Sequence, residues 1–433
     1  MRERLLVLGG GESGVGAAIL AKEKDFDVFL SDRGKITDRY KKMLDDEGIQ
    51  YEEGKHSFDM FFEFSVVVKS PGIPDSLDFI KAFHEKEIPV ISEIEFAARY
   101  TDAFIIGITG SNGKTTTTNL VFQLLETAGK DVALVGNVGD SFALRVAKNP
   151  ATIYALELSS FQLDGIKDFR PDVSILLNIS PDHLDRYEYN FDKYADSKLR
   201  ICMNQRSGDK FIYNANDQKT AERIGQIDKE VDMVSFNMDA LDTLESTFQW
   251  NNKALQGKHN RFNAACAIEA VRSCGLNEQE IQDGLDRFTN DPHRLESFLE
   301  ADGIEFINDS KATNVEAVYY ALDALEGPIL WIAGGVDKGN DYAALDELVH
   351  SKVDALICLG TDNTPLINYY ENKIEKLVSV ESLELMVMQI KDWKQSGMKV
   401  LLSPACASFD LFNNYMHRGD AFKEIILKNF RTK

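Results

Sequence analysis

The chain has 433 residues, 44% hydrophobic and 27% charged, a composition that suits a globular protein of about two to three domains. With 70 acids against 48 bases its formal net charge is -22, which excludes non-specific nucleic-acid binding through a basic face and requires local donors for any anionic substrate. The five cysteines (Cys202, Cys266, Cys274, Cys358 and Cys406) show no CxxC spacing and read as free thiols of a reducing cytoplasm, not as a disulfide framework or zinc site.

The N-terminus runs straight into a short apolar strand with no signal-peptide pattern, and no stretch approaches the roughly 20 apolar residues of a membrane span. Residues 5–8 read as a strand, 14–24 as a helix and 28–31 as a strand. A strand over 65–69 ends at Ser70-Pro71-Gly72, and a strand over 88–91 leads into a helix over 93–99. This alternation predicts a doubly wound parallel sheet. Gly9-x-Gly11-x-x-Gly14 follows the first strand and opens the first helix, with Asp32 at the end of the next strand. Such a turn sets a pyrophosphate on a helix N-terminus, and either NAD or a nucleotide-sugar diphosphate would fit it.

A second βα series starts near residue 101, with strands over 104–109, 153–158, 173–177 and 211–214 and helices over 116–128 and 259–274. A third follows Pro292, with strands over 329–333, 355–359 and 400–403. The expected domains are therefore 1–93, 94–291 and 292–433. All three are α/β: a Rossmann-like N-terminal domain, a central P-loop ATPase-like domain and a Rossmann-like C-terminal domain.

The first strand of the second series runs into Gly110-Ser111-Asn112-Gly113-Lys114-Thr115-Thr116 and then a helix. Glycines let backbone N–H groups approach phosphate oxygens, and the helix N-terminus adds partial positive charge. Lys114 can reach terminal phosphates, and the Thr115 hydroxyl suits Mg²⁺. The strict G-x-x-x-x-G-K-[ST] pattern is not met, because Ile108 stands where its first glycine would be. The strand-loop-helix context carries the reading of an ATP-consuming enzyme.

Glu157 ends a strand, where an acid can contact Mg²⁺. Asp182 and His183 follow another strand, at the end where open α/β sheets bind ligands. By residue type alone His183 reads as a surface histidine and Lys198 as a solvated helix lysine. Two rival readings remain, an NAD-dependent oxidoreductase and a non-catalytic nucleotide sensor. A second nucleotide loop in one chain weighs against the first.

Gly107-Ile108-Thr109-Gly110-Ser111-Asn112-Gly113-Lys114-Thr115-Thr116 resembles the signature of the ADP-forming peptidoglycan amino-acid ligases, displaced glycine included. Glu157-Leu158-Ser159-Ser160-Phe161-Gln162-Leu163, Asp182-His183-Leu184-Asp185-Arg186-Tyr187 and Gly257-Lys258-His259-Asn260 are similar to further motifs of that family. Asn308-Asp309-Ser310-Lys311-Ala312-Thr313-Asn314, Gly334-Gly335-Val336-Asp337-Lys338-Gly339 and Ser403-Pro404-Ala405-Cys406-Ala407-Ser408-Phe409-Asp410 look like its D-glutamate-adding branch. The Asp-Asn-Pro-Arg motif of the diaminopimelate-adding branch is absent from the sequence.

The resemblance implies ATP and two Mg²⁺ ions as cofactors, UDP-N-acetylmuramoyl-L-alanine and D-glutamate as substrates, a cytoplasmic monomer and an acyl-phosphate intermediate. It implies that Lys198 is carbamylated by CO₂ and holds Mg²⁺ with His183 and Glu157, while Thr115 touches the other ion. Asn260 and Asn263 match the adenine side, and Arg294 and Asp309 the ATP phosphate and ribose contacts. Ser13, Gly14, Ser70, Pro71 and Gly72 match the UDP-sugar site, with Asp32 and Arg33 as uracil candidates and Asn137 near the muramoyl group. Lys311, Thr313, Lys338, Ser408, Phe409 and Tyr415 fall where D-glutamate is held, and cationic lysines with a hydroxyl suit a dicarboxylate.

Overall fold

The computed structural model describes residues 2–57, 63–227, 230–255, 257–337 and 339–430. The chain forms two compact units, Met1–Trp250 with Phe262–Phe288 and Asn251–Arg261 with Thr289–Lys433. The first unit carries two sheets and the second carries one.

The first sheet comprises Arg4–Leu8 (β1), Asp27–Asp32 (β2), Gln50–Glu53 (β3), Val66–Lys69 (β4) and Val90–Ser92 (β5), all parallel, in the order β3-β2-β1-β4-β5. Leu5, Leu6, Val7 and Leu8 are all fully buried, as a strand covered on both faces requires. The helix Glu12–Glu23 packs closely enough that a Cβ on Gly16 would stand 2.0 Å from Ser141 Oγ. Order reverses between β1 and β4, and a reversal of this kind opens a crevice at the strand C-termini.

The second sheet comprises Phe104–Thr109 (β6), Val132–Gly136 (β7), Ile153–Glu157 (β8), Val173–Leu176 (β9), Lys210–Asn214 (β10) and Asp232–Phe236 (β11). Its order is β11-β10-β9-β6-β8-β7, again parallel throughout, and it reverses between β6 and β9. The third comprises Glu296–Ala301 (β12), Ile304–Asn308 (β13), Ile329–Ala333 (β14), Val353–Leu359 (β15), Lys376–Val380 (β16) and Lys399–Leu402 (β17). It runs β12-β13-β17-β14-β15-β16, with only the β12–β13 pair antiparallel. Trp331 is fully buried in its core and donates Nε1–H to the Ser403 carbonyl at 2.7 Å.

The α/β architecture expected from the sequence is present: a Rossmann-like sheet, a P-loop ATPase-like sheet and a second Rossmann-like sheet. The expected strands of all three series form, with ends moved by one or two residues. Six further strands, β3, β7, β11, β12, β13 and β16, were not anticipated. Five of them are sheet edges. An edge strand keeps one flank in solvent and lacks the continuous apolar run that marks a central parallel strand, as Gln50-Tyr51-Glu52-Glu53 illustrates.

Candidate active site

The phosphate loop leaves β6 through Gly110 at φ 156° and enters the helix Lys114–Thr127 through Gly113 at φ 84°, left-handed conformations that suit glycine. A Cβ on Gly113 would stand 2.7 Å from Asn263 Oδ1, so Asn263 packs directly on the loop. Thr115 and Thr116 are buried at the start of the helix. Asn178, just past β9, clasps the loop from the side. Its Oδ1 accepts from the backbone N–H of Ser111 (3.1 Å) and Asn112 (2.8 Å), and its Nδ2 donates to the Asn112 carbonyl at 3.0 Å. Ser111 Oγ donates to the Ser180 carbonyl at 2.8 Å and accepts from Ser180 N–H at 2.9 Å. Asn178 was not selected from the sequence; its signal is an amide at the end of the strand beside the loop's own strand.

Lys114 Nζ donates to the carbonyls of Gly110 (2.7 Å) and Ser111 (2.8 Å). Lys198, on the helix Phe191–Leu199, is 1% exposed and also donates to the Gly110 carbonyl, at 2.7 Å. Its ammonium lies 4.7 Å from the centre of the Tyr194 ring. Burial pushes the Lys198 pKa well below the ordinary lysine value, and the Lys114 cation pushes the same way. The carboxylates of Asp182, Asp164 and Glu157 oppose the shift without reversing it. The surface lysine expected from residue type alone is therefore a buried amine beside the phosphate loop.

Glu157 ends β8 at 1% exposure. Its Oε1 accepts from Asn137 Nδ2 at 2.7 Å, while Oε2 is buried with no hydrogen-bond partner. A carboxylate oxygen buried without a donor is costly, and a bound cation would satisfy it. Asn137 lies in this cluster, tied to Glu157 also through its backbone N–H to the Glu157 carbonyl at 3.0 Å. His183 is half exposed at φ 50°, with its ring edge-on to Phe161 at 5.3 Å. Among the described residues no three His, Cys, Asp or Glu side chains form a ready metal cage. The unpartnered Glu157 Oε2 is the feature that suits a bound cation, which would need further donors beside it.

A cleft of about 990 Å³ opens at the reversal of the first sheet. Its walls include Ser13, Asp32, Arg33, Ser70, Pro71 and Gly72, all singled out in the sequence, and also His56 and Phe79, which were not. The Asp32 carboxylate accepts the backbone N–H groups of Gly10 and Gly34 and so pins two loops of the rim. Gly14 stands behind the wall, where a Cβ would lie 1.9 Å from the Gly9 carbonyl oxygen.

In the second unit the candidates gather at the C-terminal ends of β13 and β17. Asp309 is buried, with Oδ1 accepting from Leu295 N–H (3.1 Å) and Oδ2 from Ser403 Oγ (2.8 Å). Burial raises its pKa to about 7, against the pull of those donors and of Arg294. Lys311 Nζ lies 5.2 Å from the centre of the Tyr415 ring. Thr313 follows on the same loop, with its N–H bonded to the Lys311 carbonyl. Ser408 is buried and Phe409 is 72% exposed. Asn260 is buried in this unit, with Nδ2 3.5 Å from the Ala254 carbonyl. Lys338 lies outside the described residues. Arg418, which sequence reasoning missed, is 2% exposed and ties the loops together. It donates to Ser310 Oγ (3.0 Å), the Ser310 carbonyl (2.8 Å) and the Cys406 carbonyl (3.1 Å).

Three family models match the chain: the MurD N-terminal domain over residues 5–77, the Mur ligase middle domain over 108–271 and the Mur ligase glutamate ligase domain over 293–406. The chain is 46% identical to UDP-N-acetylmuramoylalanine–D-glutamate ligase of Porphyromonas gingivalis, with 98% of each chain covered. It is 45% identical to the protein of that name from Christiangramia forsetii, covering 98% of this chain and 99% of the other. Among solved structures it resembles UDP-N-acetylmuramate-alanine ligase MurC of Thermotoga maritima, with TM-score 0.61, 18% identity and 98% and 99% of the two chains covered. It also resembles MurF ligase of Thermotoga maritima in complex with ADP, with TM-score 0.60, 15% identity and 86% and 91% coverage. At these identities the two structures bear on the fold alone.

Proposed function

The chain belongs to the Mur ligases, as an ATP-dependent, ADP-forming enzyme of peptidoglycan precursor synthesis that adds D-glutamate to UDP-N-acetylmuramoyl-L-alanine, and from that premise we propose how its residues divide the work. The observation that carries the assignment of roles is the convergence of Lys114, Lys198 and Glu157 at the C-terminal ends of β6 and β8, around the phosphate loop.

A carboxylate does not acylate an amine at neutral pH, because oxide is a poor leaving group. In the proposed sequence the alanine carboxylate oxygen attacks the ATP γ-phosphorus, forming one P–O bond as the bond to the β-phosphate oxygen breaks and ADP leaves. The backbone N–H groups of residues 110–116 and the Lys114 ammonium stabilise the charge of that transfer. The D-glutamate amine then adds to the acyl carbon, phosphate departs, and the amine loses one proton. Two bound Mg²⁺ ions would supply Lewis-acid stabilisation of the phosphoryl oxygens. Thr115, Glu157, His183 and Lys198 would hold them.

A neutral Lys198 amine can add to CO₂, forming an N–C bond and releasing one proton. The resulting carbamate would turn a nitrogen donor into an oxygen donor to set beside Glu157 and His183. Ser13, Gly14, Asp32, Arg33, Ser70, Pro71 and Gly72 are assigned to the sugar nucleotide, and Asn137 to the muramoyl side and to orienting Glu157. Asn260, Asn263, Arg294 and Asp309 are assigned to ATP. Lys311, Thr313, Lys338, Ser408, Phe409 and Tyr415 are assigned to D-glutamate. The proposed domains are 1–93, 94–291 and 292–433, in a cytoplasmic monomer.

The test is ADP release in the presence of UDP-N-acetylmuramoyl-L-alanine and Mg²⁺, with D-glutamate, L-glutamate, L-lysine or diaminopimelate added in turn. Release with D-glutamate alone is expected. Release with another amino acid would overturn the D-glutamate assignment and leave the ligase chemistry standing.

A further inference from the structure

The short segment Leu184–Tyr187 is bracketed by left-handed residues, His183 at φ 50° before it and Glu188 and Tyr189 at φ 56° and 58° after it. Non-glycine residues hold such angles only where the surroundings over-determine them. Two anchors do so. Tyr187 sends its hydroxyl to Asp164 Oδ2 (2.8 Å) and Ser197 Oγ (3.3 Å), beside Lys198. Arg186 reaches the other way, to the rim of the sugar-nucleotide cleft, where its guanidinium meets the carbonyls of Pro71 (3.3 Å) and Gly72 (3.5 Å).

Phe161 is the platform beneath this arm. The Arg186 guanidinium carbon lies 4.5 Å from the centre of its ring. The same ring meets His183 edge-on at 5.3 Å and stacks with Tyr187 at 6.1 Å. One aromatic ring thus touches both the arm that grips the cleft rim and the imidazole assigned to metal. In a trans peptide the carbonyl and N–H are antiparallel, so gripping the Pro71 carbonyl also sets the direction of the Gly72 N–H in the cleft wall.

We propose that Arg186, stacked on Phe161, is a positioning residue that couples the cleft rim at Pro71-Gly72 to His183, so that sugar nucleotide and divalent metal bind cooperatively. The inference rests on the assignment of the cleft to the sugar nucleotide and of His183 to metal. By linkage, the factor by which metal tightens the sugar nucleotide equals the factor by which the sugar nucleotide tightens metal.

The experiment is calorimetric titration of UDP-N-acetylmuramoyl-L-alanine into wild type, R186A and R186K, each with Mg²⁺ and with chelator. In wild type, Mg²⁺ is expected to tighten binding by about tenfold, within the usual range of coupling between sites. In R186A the metal-free affinity is expected to fall modestly, with the rim carbonyls released, while the tightening by Mg²⁺ falls below about twofold, as the loss of a coupling contact demands. R186K keeps the cation but not the flat fork that spans two carbonyls, and should recover only part of the coupling. An unchanged thermal midpoint and ADP affinity in R186A separate this outcome from unfolding, and R186K carries the test if R186A does not fold. Full wild-type tightening in R186A, or none in wild type, overturns the coupling and leaves the ligase reading intact. Failure of wild type to bind the sugar nucleotide at all would overturn both.

Discussion

Lys114 and Lys198 donate to one acceptor, the Gly110 carbonyl oxygen, each at 2.7 Å. Two ammonium groups sharing one carbonyl repel each other, and the one with less access to water yields its proton more readily. Lys198 is that one, since it is 1% exposed and its pKa is driven down by burial and then by Lys114. The phosphate loop therefore helps to lower the pKa of a lysine far from it in sequence.

Replacing Lys198 by Arg keeps a cation but removes the amine that can add CO₂. Ligation is expected to fall by at least about 100-fold, the upper end of the loss seen when a group supporting a metal is removed. ADP affinity should stay near wild type. Carbon-13 NMR after equilibration with labelled CO₂ should show a carbamate in wild type and none in K198R. A wild-type spectrum without it would remove the carbamate from the scheme.

Asn137 is the side-chain donor to Glu157 Oε1. Asn137→Ala removes this donor from Oε1 while Oε2 already has none, so the carboxylate loses its orientation. The Mg²⁺ concentration for half-maximal ADP release should rise by about 10–100-fold, with a smaller change in the rate at saturating metal. Titration of activity against Mg²⁺ measures both.

Gly14 admits no side chain. A Cβ there would lie 1.9 Å from the Gly9 carbonyl oxygen, a backbone atom that cannot rotate away. Gly14→Ala should destabilise the first unit by about 2–3 kcal/mol and weaken sugar-nucleotide binding, because the loop between β1 and its helix must shift. Thermal unfolding and calorimetry read the two effects. A variant with wild-type values in both would mean that the loop yields freely.

Glu93 is buried against the start of the helix Phe142–Lys148, accepting from Ser141 Oγ (2.8 Å) and Ala143 N–H (2.6 Å). Burial raises its pKa from 4.5 to about 7 despite those donors. Between these values the native state holds a proton that the unfolded chain has lost, so stability falls as pH rises and levels off above about 7. The shift corresponds to about 3 kcal/mol, as an order of magnitude. Urea midpoints measured from pH 5 to pH 8 should decline less steeply in Glu93→Gln than in wild type. Equal slopes would mean that Glu93 does not titrate in this window.

The strand, glycine turn and helix start of the phosphate loop were legible in the sequence because the three are contiguous. The Gly9–Gly14 turn was legible for the same reason, and the central strands because burial on both faces writes an unbroken apolar run. The edge strands, half wetted, wrote no such run. Lys198 and His183 had ordinary surface readings by residue type, and only family resemblance singled them out. The order β9-β6-β8 sets the ends of three strands distant in sequence side by side; Lys198 reaches the Gly110 carbonyl there from the helix Phe191–Leu199, burial lowers its pKa, and one Glu157 oxygen is left without a hydrogen-bond partner. The contact of Arg186 with Pro71 spans 115 positions and leaves no periodic trace. Local pattern determined which backbone groups could meet a phosphate. Tertiary packing decided which side chains lost water and gained a charged neighbour, because desolvation and Coulomb interactions depend on distance in space and not on separation along the chain.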